Sequence, residues 1–175
     1  SHPDLAAHIW SNTADPAGNL PDSCDRVSFP SIALSDDDCN GYVDDVNGWD
    51  FRGIDNDPSP VVSATENYDH ETNAAGVIAA VTNNINGVAG VSWDSRIRPL
   101  RVDYTSLQVA QAIDYAEFNG ARVINMSFGD SDVNLFGDVL VTTAVNSAFA
   151  NGVVIVAAAG NNSNDTKYYP AALEN

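Results

Sequence analysis

The strongest constraint on the fold is an alternation of short apolar strands and amphipathic helices in residues 70–175. Val153–Ala158 is a continuous apolar run, which is typical of a strand in the middle of a parallel sheet, and Val123–Met126 is a second buried strand. Ser106–Asn119 and Asp138–Ala150 carry apolar residues at helical spacing. Strands and helices in this order imply right-handed crossovers, so the sequence predicts an α/β fold with a parallel sheet.

The chain is divided into two regions of different composition. Glu71–Thr82 is a predicted helix and Ile97–Val102 a predicted short strand, so residues 70–175 form the predicted α/β core. Residues 1–69 are rich in Asp, Asn, Pro, Ser and Gly and are predicted to be mostly loop. Long loops are uncommon in compact domains unless something holds them, and we expect both a metal ion and a disulfide to do so here.

An alternation of oxygen-bearing side chains in residues 36–45 is the strongest metal signal. The spacing resembles the first part of an EF-hand loop, in which a glycine permits the sharp turn and one backbone carbonyl is a ligand. The closing glutamate is missing, because Asn47 stands at that position. Hard oxygen ligands suit calcium, and the alternative is a solvated acidic turn. The predicted ligands are Asp36, Asp38, Asn40, the Tyr42 carbonyl, Asp44 and Asp45.

The net charge of the chain limits the classes of partner that it is expected to bind. Seven Lys and Arg residues face 24 Asp and Glu residues, giving a net charge of −17. Such a surface repels nucleic acids and anionic membranes and attracts cations, although a solvated acidic surface explains much of the charge equally well. Val153–Ala159, the longest apolar run, is too short to span a bilayer. We therefore expect neither a nucleic acid nor a membrane as a partner.

The two cysteines bear on the cellular compartment in which the protein is expected to reside. Cys24 and Cys39 both lie in the loop-rich region, and a disulfide between them is favoured over two free thiols. Disulfides persist in oxidising compartments, so we expect a secreted or extracellular protein.

Two polar segments follow the strands of the predicted core. Ser127-Phe128-Gly129 comes after the first strand, and Gly160-Asn161-Asn162 comes after the last. Ligands bind at the carboxyl ends of the strands in open parallel sheets. The pattern therefore predicts a ligand cleft at this edge.

Several collinear stretches resemble the subtilisin-like serine peptidases, or subtilases. They are Ser1–Leu5, Asn40–Phe51, Asp55–Pro60, Asn83-Asn84, Gly87–Val91, Val123–Gly129, Val153–Asn161 and Tyr169–Ala171. The resemblance implies a three-layer α/β fold with helices on both faces of a parallel sheet, here incomplete. It also implies a peptidase acting on a peptide or protein substrate.

The resemblance assigns roles to individual residues. His70 occupies the general-base position, Asn161 that of the oxyanion donor, and Ser127, Phe128 and Gly129 the strand that pairs with substrate. A second calcium site is implied at Asp4 and Asn84.

The departures from the family pattern point to a chain that is inactive by itself. The family motif H-G-T-H-V-A-G appears here with Glu71 in place of the glycine and Asn73 in place of the second histidine. The orienting aspartate and the nucleophilic serine of G-T-S-M-A have no counterpart in the 175 residues. The alternative is a degenerate, non-catalytic subtilase-fold module stabilised by calcium. In either case an exposed sheet edge predicts self-association or pairing with a companion fragment.

Overall fold

The computed structural model describes residues 2–14, 36, 38–60 and 69–174. The chain forms two compact units, Ser1–Arg101 and Val102–Asn175. The boundary between them lies later in the chain than the change of composition at residue 69. Cys39 is disulfide-bonded, and the other cysteine of the sequence, Cys24, lies outside the described residues.

The second unit is built on two parallel strands. β3 (Val123–Met126) pairs with β4 (Val154–Ala157), and Val123 lies opposite Val154. Helices α2 (Ser106–Phe118) and α4 (Val139–Ala150) pack against each other, and a short α3 (Val133–Phe136) precedes α4. The parallel pairing and the α/β order confirm the coarse fold prediction. The predicted strand at 153–158 is shorter by one residue at each end.

One face of the β3–β4 pair packs on the helices. Met126 belongs to the buried core, and Ile124, Ile155 and Ala157 pack against it. On the opposite face Val123, Val154 and Val156 are 58, 56 and 48% exposed. The expectation that 123–126 and 153–158 are buried strands is therefore wrong for this face of both β3 and β4. The predicted association through an exposed edge stays a prediction. The helical part of the core consists of Val109, Ala110, Ile113, Phe136, Val141, Ala144, Val145 and Ala148.

Local capping sets the helix ends. The Asp138 carboxylate accepts a hydrogen bond of 3.0 Å from the Val141 N–H, which satisfies a free donor in the first turn of α4. Asp132 caps α3 in the same way through Asn134, although the sequence pattern had not predicted this short helix. After α4 the chain reverses at Gly152, whose φ of +85° favours glycine. No helix in the described parts of the chain is long and apolar enough to cross a bilayer.

The first unit contains α1 (Asp69–Ala79) and a parallel pair of two-residue strands, β1 (Trp49–Asp50) and β2 (Leu100–Arg101). The predicted helix reached Thr82, but the chain instead turns back so that the Gly90 N–H donates to the Ala80 carbonyl at 3.1 Å. The predicted strand at 97–102 is also shorter. Its first residue, Ile97, forms only a single bridge with Ile9.

A buried ion pair joins the two strands of the first unit. The Arg101 guanidinium lies 2.6 Å from the Asp50 carboxylate, and the two side chains are 20% and 2% exposed. The Arg52 N–H also donates to Asp50, at 2.8 Å. A carboxylate at this depth depends on its cationic partner, because removing one member of a buried pair leaves an uncompensated charge.

We therefore predict that Arg101→Met, which keeps side-chain length but removes the charge, lowers the free energy of unfolding by about 3 kcal/mol. The matched control is Lys167→Met, because Lys167 pairs with Glu174 at 3.5 Å between side chains that are 63% and 90% exposed. An exposed pair contributes at most about 1 kcal/mol. Urea unfolding of the two variants measures the difference, and equal losses would contradict the prediction.

Candidate active site and calcium sites

The predicted cleft lies at the carboxyl ends of β3 and β4. Pairing continues one step beyond the strands, since the Ala158 N–H donates to the Met126 carbonyl at 3.1 Å. Both polar segments therefore leave the sheet at the same level. They enclose a groove of about 270 Å³ lined by Ser127, Phe128, Gly129, Ala158, Gly160, Asn161, Asn162 and Tyr168.

A third segment closes the groove. Asp130 and Tyr169 form an antiparallel bridge with hydrogen bonds of 3.0 and 2.8 Å, which holds the chain after residue 167 beside the end of β3. A Cβ on Gly129 would lie 3.0 Å from the Tyr169 carbonyl oxygen, so this approach has little room for a side chain. Tyr168 was not predicted as a lining residue, because its position depends on this long-range bridge.

Asn161 lies on the exposed rim of the groove, directly after β4. Its side-chain amide is a hydrogen-bond donor that suits a developing oxyanion. Ser127–Gly129 form the half-buried opposite side, and the Asn125 amide donates to the Ser127 hydroxyl at 2.8 Å. The structure thus places the predicted oxyanion donor and the predicted substrate strand around one groove.

His70 belongs to the first unit. It lies exposed in the first turn of α1, and both Glu71 and Asn73, which depart from the family motif, are exposed beside it. The resemblance to the family assigns His70 the role of general base. Its role stays a prediction.

Asp36 holds the backbone of the acidic loop at residues 36–45. Asp36 accepts hydrogen bonds from the backbone N–H groups of Asn40 and Gly41 at 3.1 and 2.9 Å. Gly41 has a φ of +91°, the conformation expected of the glycine in such a loop. Burial raises the pKa of the Asp36 carboxyl, and the nearby Asp38 charge raises it further.

Two acidic side chains of the loop each accept hydrogen bonds from the same two side-chain amides. The Asn40 amide donates to Asp38 at 3.1 Å and to Asp45 at 2.9 Å. The Asn12 amide donates to the same two carboxylates, at 2.9 and 2.5 Å. Asp36 and Asp45 are only 2% and 0% exposed. Asn12 was missed by sequence analysis, because it lies far from the loop motif and carries no pattern of its own.

The donor set of this loop fits calcium, which prefers carboxylate, amide and carbonyl oxygens. Asn40 contacts Asp36, Asp38 and Asp45, and the Tyr42 N–H donates to the Asn40 amide oxygen at 2.7 Å. Within the described ranges no three His, Cys, Asp or Glu side chains are arranged as a metal-binding cluster. Calcium at this loop therefore remains a prediction.

Asp4 and Asn84, the predicted second calcium site, are in direct contact. The Asn84 amide donates to Asp4 at 2.6 Å, and the Val88 N–H donates to the other carboxylate oxygen at 3.0 Å. The hydrogen bond from the Asn84 amide is the main cause of the lowered pKa of the Asp4 carboxyl. The hydrogen bond from the Val88 N–H is the second cause. The Asn84 oxygen accepts from the Asn86 N–H at 3.0 Å, so it already has a partner. The loop satisfies Asp4 by hydrogen bonds, and a metal role here stays a prediction.

An α/β chain with a cleft at the carboxyl ends of parallel strands is the class that these observations define. The subtilase family model matches residues 1–175, and the chain belongs to the subtilase family. This finding confirms the resemblance noted in the sequence.

The relatives are longer proteins. The chain is 40% identical over 146 residues to "Thermophilic serine proteinase" of Bacillus sp. (strain AK1), covering 79% of this chain and 33% of that protein. It is 41% identical over 135 residues to "Thermitase" of Thermoactinomyces vulgaris, covering 74% of this chain and 45% of that protein. The chain therefore spans less than half the length of these curated relatives.

The solved structure of the self-cleaved protease domain of PatA is similar to part of this chain. The TM-score is 0.51 at 32% identity, and the match covers 66% of this chain and 45% of that one. The likeness supports a subtilisin-like α/β fold.

The close packing of the loop on Asp4 predicts that a side chain at Gly87 destabilises the fold. Gly87 has a φ of +51°, and a Cβ there would lie 2.2 Å from an Asp4 carboxylate oxygen. Gly87→Ala is therefore expected to lower the free energy of unfolding by about 1–3 kcal/mol. The control is Gly76→Ala within α1, where nothing lies within 4 Å and the helix gains about 0.5–1 kcal/mol. Urea denaturation should move the two midpoints in opposite directions, and shifts of the same sign would refute this account.

Proposed function

We propose that this chain is part of a subtilisin-like serine endopeptidase domain, which hydrolyses peptide bonds. The observation that carries the proposal is the groove between the ends of β3 and β4, with Ser127–Gly129 on one side and Asn161 on the other. An extended peptide adds to such a backbone segment by strand pairing, and its carbonyl then lies near the amide donor. Family membership supports the reaction class.

In this proposal His70 takes the proton of the nucleophilic serine and later returns it to the leaving amine. Asn161 donates a hydrogen bond to the tetrahedral oxyanion, a contribution of about 3–4 kcal/mol in a complete site. The serine and the aspartate that orients the histidine have to come from outside these 175 residues, because the sequence contains no G-T-S-M-A motif.

Calcium is proposed as a structural ion of the acidic loop. Asp36, Asp38, Asn40 and Asp45 would supply side-chain oxygens, with the Tyr42 carbonyl and Asp44 completing the set. Bound calcium would offset repulsion among buried carboxylates and hold the loop in place. The second proposed site is at Asp4 and Asn84.

A secreted location is proposed on chemical grounds. The disulfide at Cys39 needs an oxidising compartment.

The second candidate function is a non-catalytic module that keeps the subtilase fold. Glu71 favours it, because the family motif has glycine there and the added carboxylate stands exposed next to His70. Such a module would retain calcium-dependent stability while lacking peptide hydrolysis in any longer form of the protein.

We predict that the 175-residue chain alone neither hydrolyses peptides nor reacts with a serine-directed fluorophosphonate. The chain contains the proposed base, His70, but neither the nucleophilic serine nor the orienting carboxylate, and a serine hydroxyl that no base activates is a poor nucleophile. Thermitase, incubated in parallel, is the positive control for the probe. Covalent labelling of this chain at any serine would overturn the assignment of an incomplete site.

Calcium is expected to raise the melting temperature of the chain. A ligand at a hundred times its dissociation constant stabilises the folded state by about 2.7 kcal/mol. Scanning calorimetry with calcium and then with a chelator measures the shift. An unchanged melting temperature would rule out both calcium sites.

Two variants test whether the calcium-dependent rise in melting temperature comes from the acidic loop. Asp45→Asn removes one buried charge of the acidic loop with little change of shape, and should lose most of the calcium-dependent shift. Asp94→Asn makes the same chemical change at an exposed residue outside the loop and should keep the shift. If Asp45→Asn keeps the full calcium-dependent rise in melting temperature, calcium binds somewhere other than the acidic loop.

A further inference from the structure

We propose that Asn86 is a site of covalent self-modification, at which the folded chain converts this asparagine to aspartate and isoaspartate without an enzyme. An Asn-Gly pair offers this reaction the least steric resistance, because glycine has no side chain to block the approach of its nitrogen. The sequence contains five Asn-Gly pairs. The fold distinguishes Asn86-Gly87 from the other four.

The reaction joins the two neighbouring residues in a ring. The Gly87 nitrogen loses its proton to solvent and attacks the side-chain carbonyl carbon of Asn86. The new N–C bond closes a succinimide, and the side-chain nitrogen takes up a proton and leaves as ammonia. Water then opens the ring at either carbonyl, giving aspartate or isoaspartate. Water is the co-reactant, and no group is oxidised or reduced.

The backbone N–H of the glycine differs among the five pairs. A nitrogen whose N–H is held by an acceptor has to give up that hydrogen bond before it can turn toward the asparagine side chain. Among the residues that the structure describes, no group accepts a hydrogen bond from the Gly87 N–H. The other four glycines donate to the Asp36 carboxylate at 2.9 Å (Gly41), the Asp45 carbonyl at 3.2 Å (Gly48), the Glu117 carbonyl at 2.9 Å (Gly120) and the Phe149 carbonyl at 3.0 Å (Gly152).

The Asn86 side chain is open to attack as well. It is exposed to solvent, and within the described parts of the chain its amide forms no hydrogen bond. Its carbonyl carbon is therefore accessible both to the neighbouring nitrogen and to the water that completes the reaction. Three of the other four asparagines donate a hydrogen bond from the side-chain amide, namely Asn40, Asn119 and Asn151.

The modification acts on the groups that hold Asp4. The Asn84 amide and the Val88 N–H donate to this carboxylate at 2.6 and 3.0 Å. The modified bond lies between these two donors, and isoaspartate lengthens the main chain there by one carbon atom. Gly87 has no space for the extra length, because even a Cβ on it would overlap an Asp4 carboxylate oxygen. We therefore expect isoaspartate to separate the loop from Asp4, whereas aspartate leaves the main chain unchanged.

Peptide mapping by mass spectrometry tests the reaction. The chain is incubated in warm, mildly alkaline, calcium-free buffer in which circular dichroism shows that it remains folded. Conversion at Asn86 should be about 10-fold faster than at the other four pairs, which first have to break a hydrogen bond. In urea the five pairs should react at similar rates. A comparable or faster conversion at another pair of the folded chain, or the same lead of Asn86 in urea, would overturn the inference.

Two variants test the consequence for Asp4. The isoaspartate form, isolated from aged wild-type chain by ion exchange, should melt about 5 °C below the fresh protein. Asn86→Ser cannot form the ring and should keep its melting temperature through the same incubation. Asn86→Asp carries the new charge on an unchanged main chain and should melt close to the fresh wild type. If Asn86→Asp loses as much as the isoaspartate form, or if that form melts like fresh protein, the predicted separation from Asp4 is wrong.

Discussion

The parallel pairing of β3 with β4 is the constraint on which the candidate active site depends. Because Met126 lies opposite Ala157, the segments that follow the two strands leave the sheet side by side. A shift of one residue in this register would turn the inward-facing side chains outward and separate Ser127–Gly129 from Asn161. The apolar packing of α2 and α4 on one face of the pair opposes such a shift.

The first unit depends on buried carboxylates that are satisfied in three different ways. Asp50 has a guanidinium, Asp4 has an amide and a backbone N–H, and Asp45 has the amides of two asparagines. Burying a carboxylate is costly unless such partners are present. A chain with 24 acidic and seven basic residues cannot pair each acid with a basic side chain, and at Asp4 and Asp45 side-chain amides and a backbone N–H take that place.

The parts predicted well from the sequence are those encoded by neighbouring residues. β3 was predicted with its exact bounds, and α2 and α4 to within one residue, because apolar runs and caps such as Asp138 are local signals. Asn12 and Tyr168 were not identified, because each acts on residues elsewhere in the chain. The exposure of Val154 was missed for a related reason, since a strand's own apolar run does not show what covers it.

The bond between Asp4 and the loop at residues 84–88 has a consequence for biosynthesis. The partners of this carboxylate lie 80 and 84 residues further along the chain. The N-terminal segment therefore emerges from the ribosome well before the groups that will anchor it exist. At about 5–20 residues per second, it waits several seconds in an unanchored state during which a chaperone or a protease has access to it.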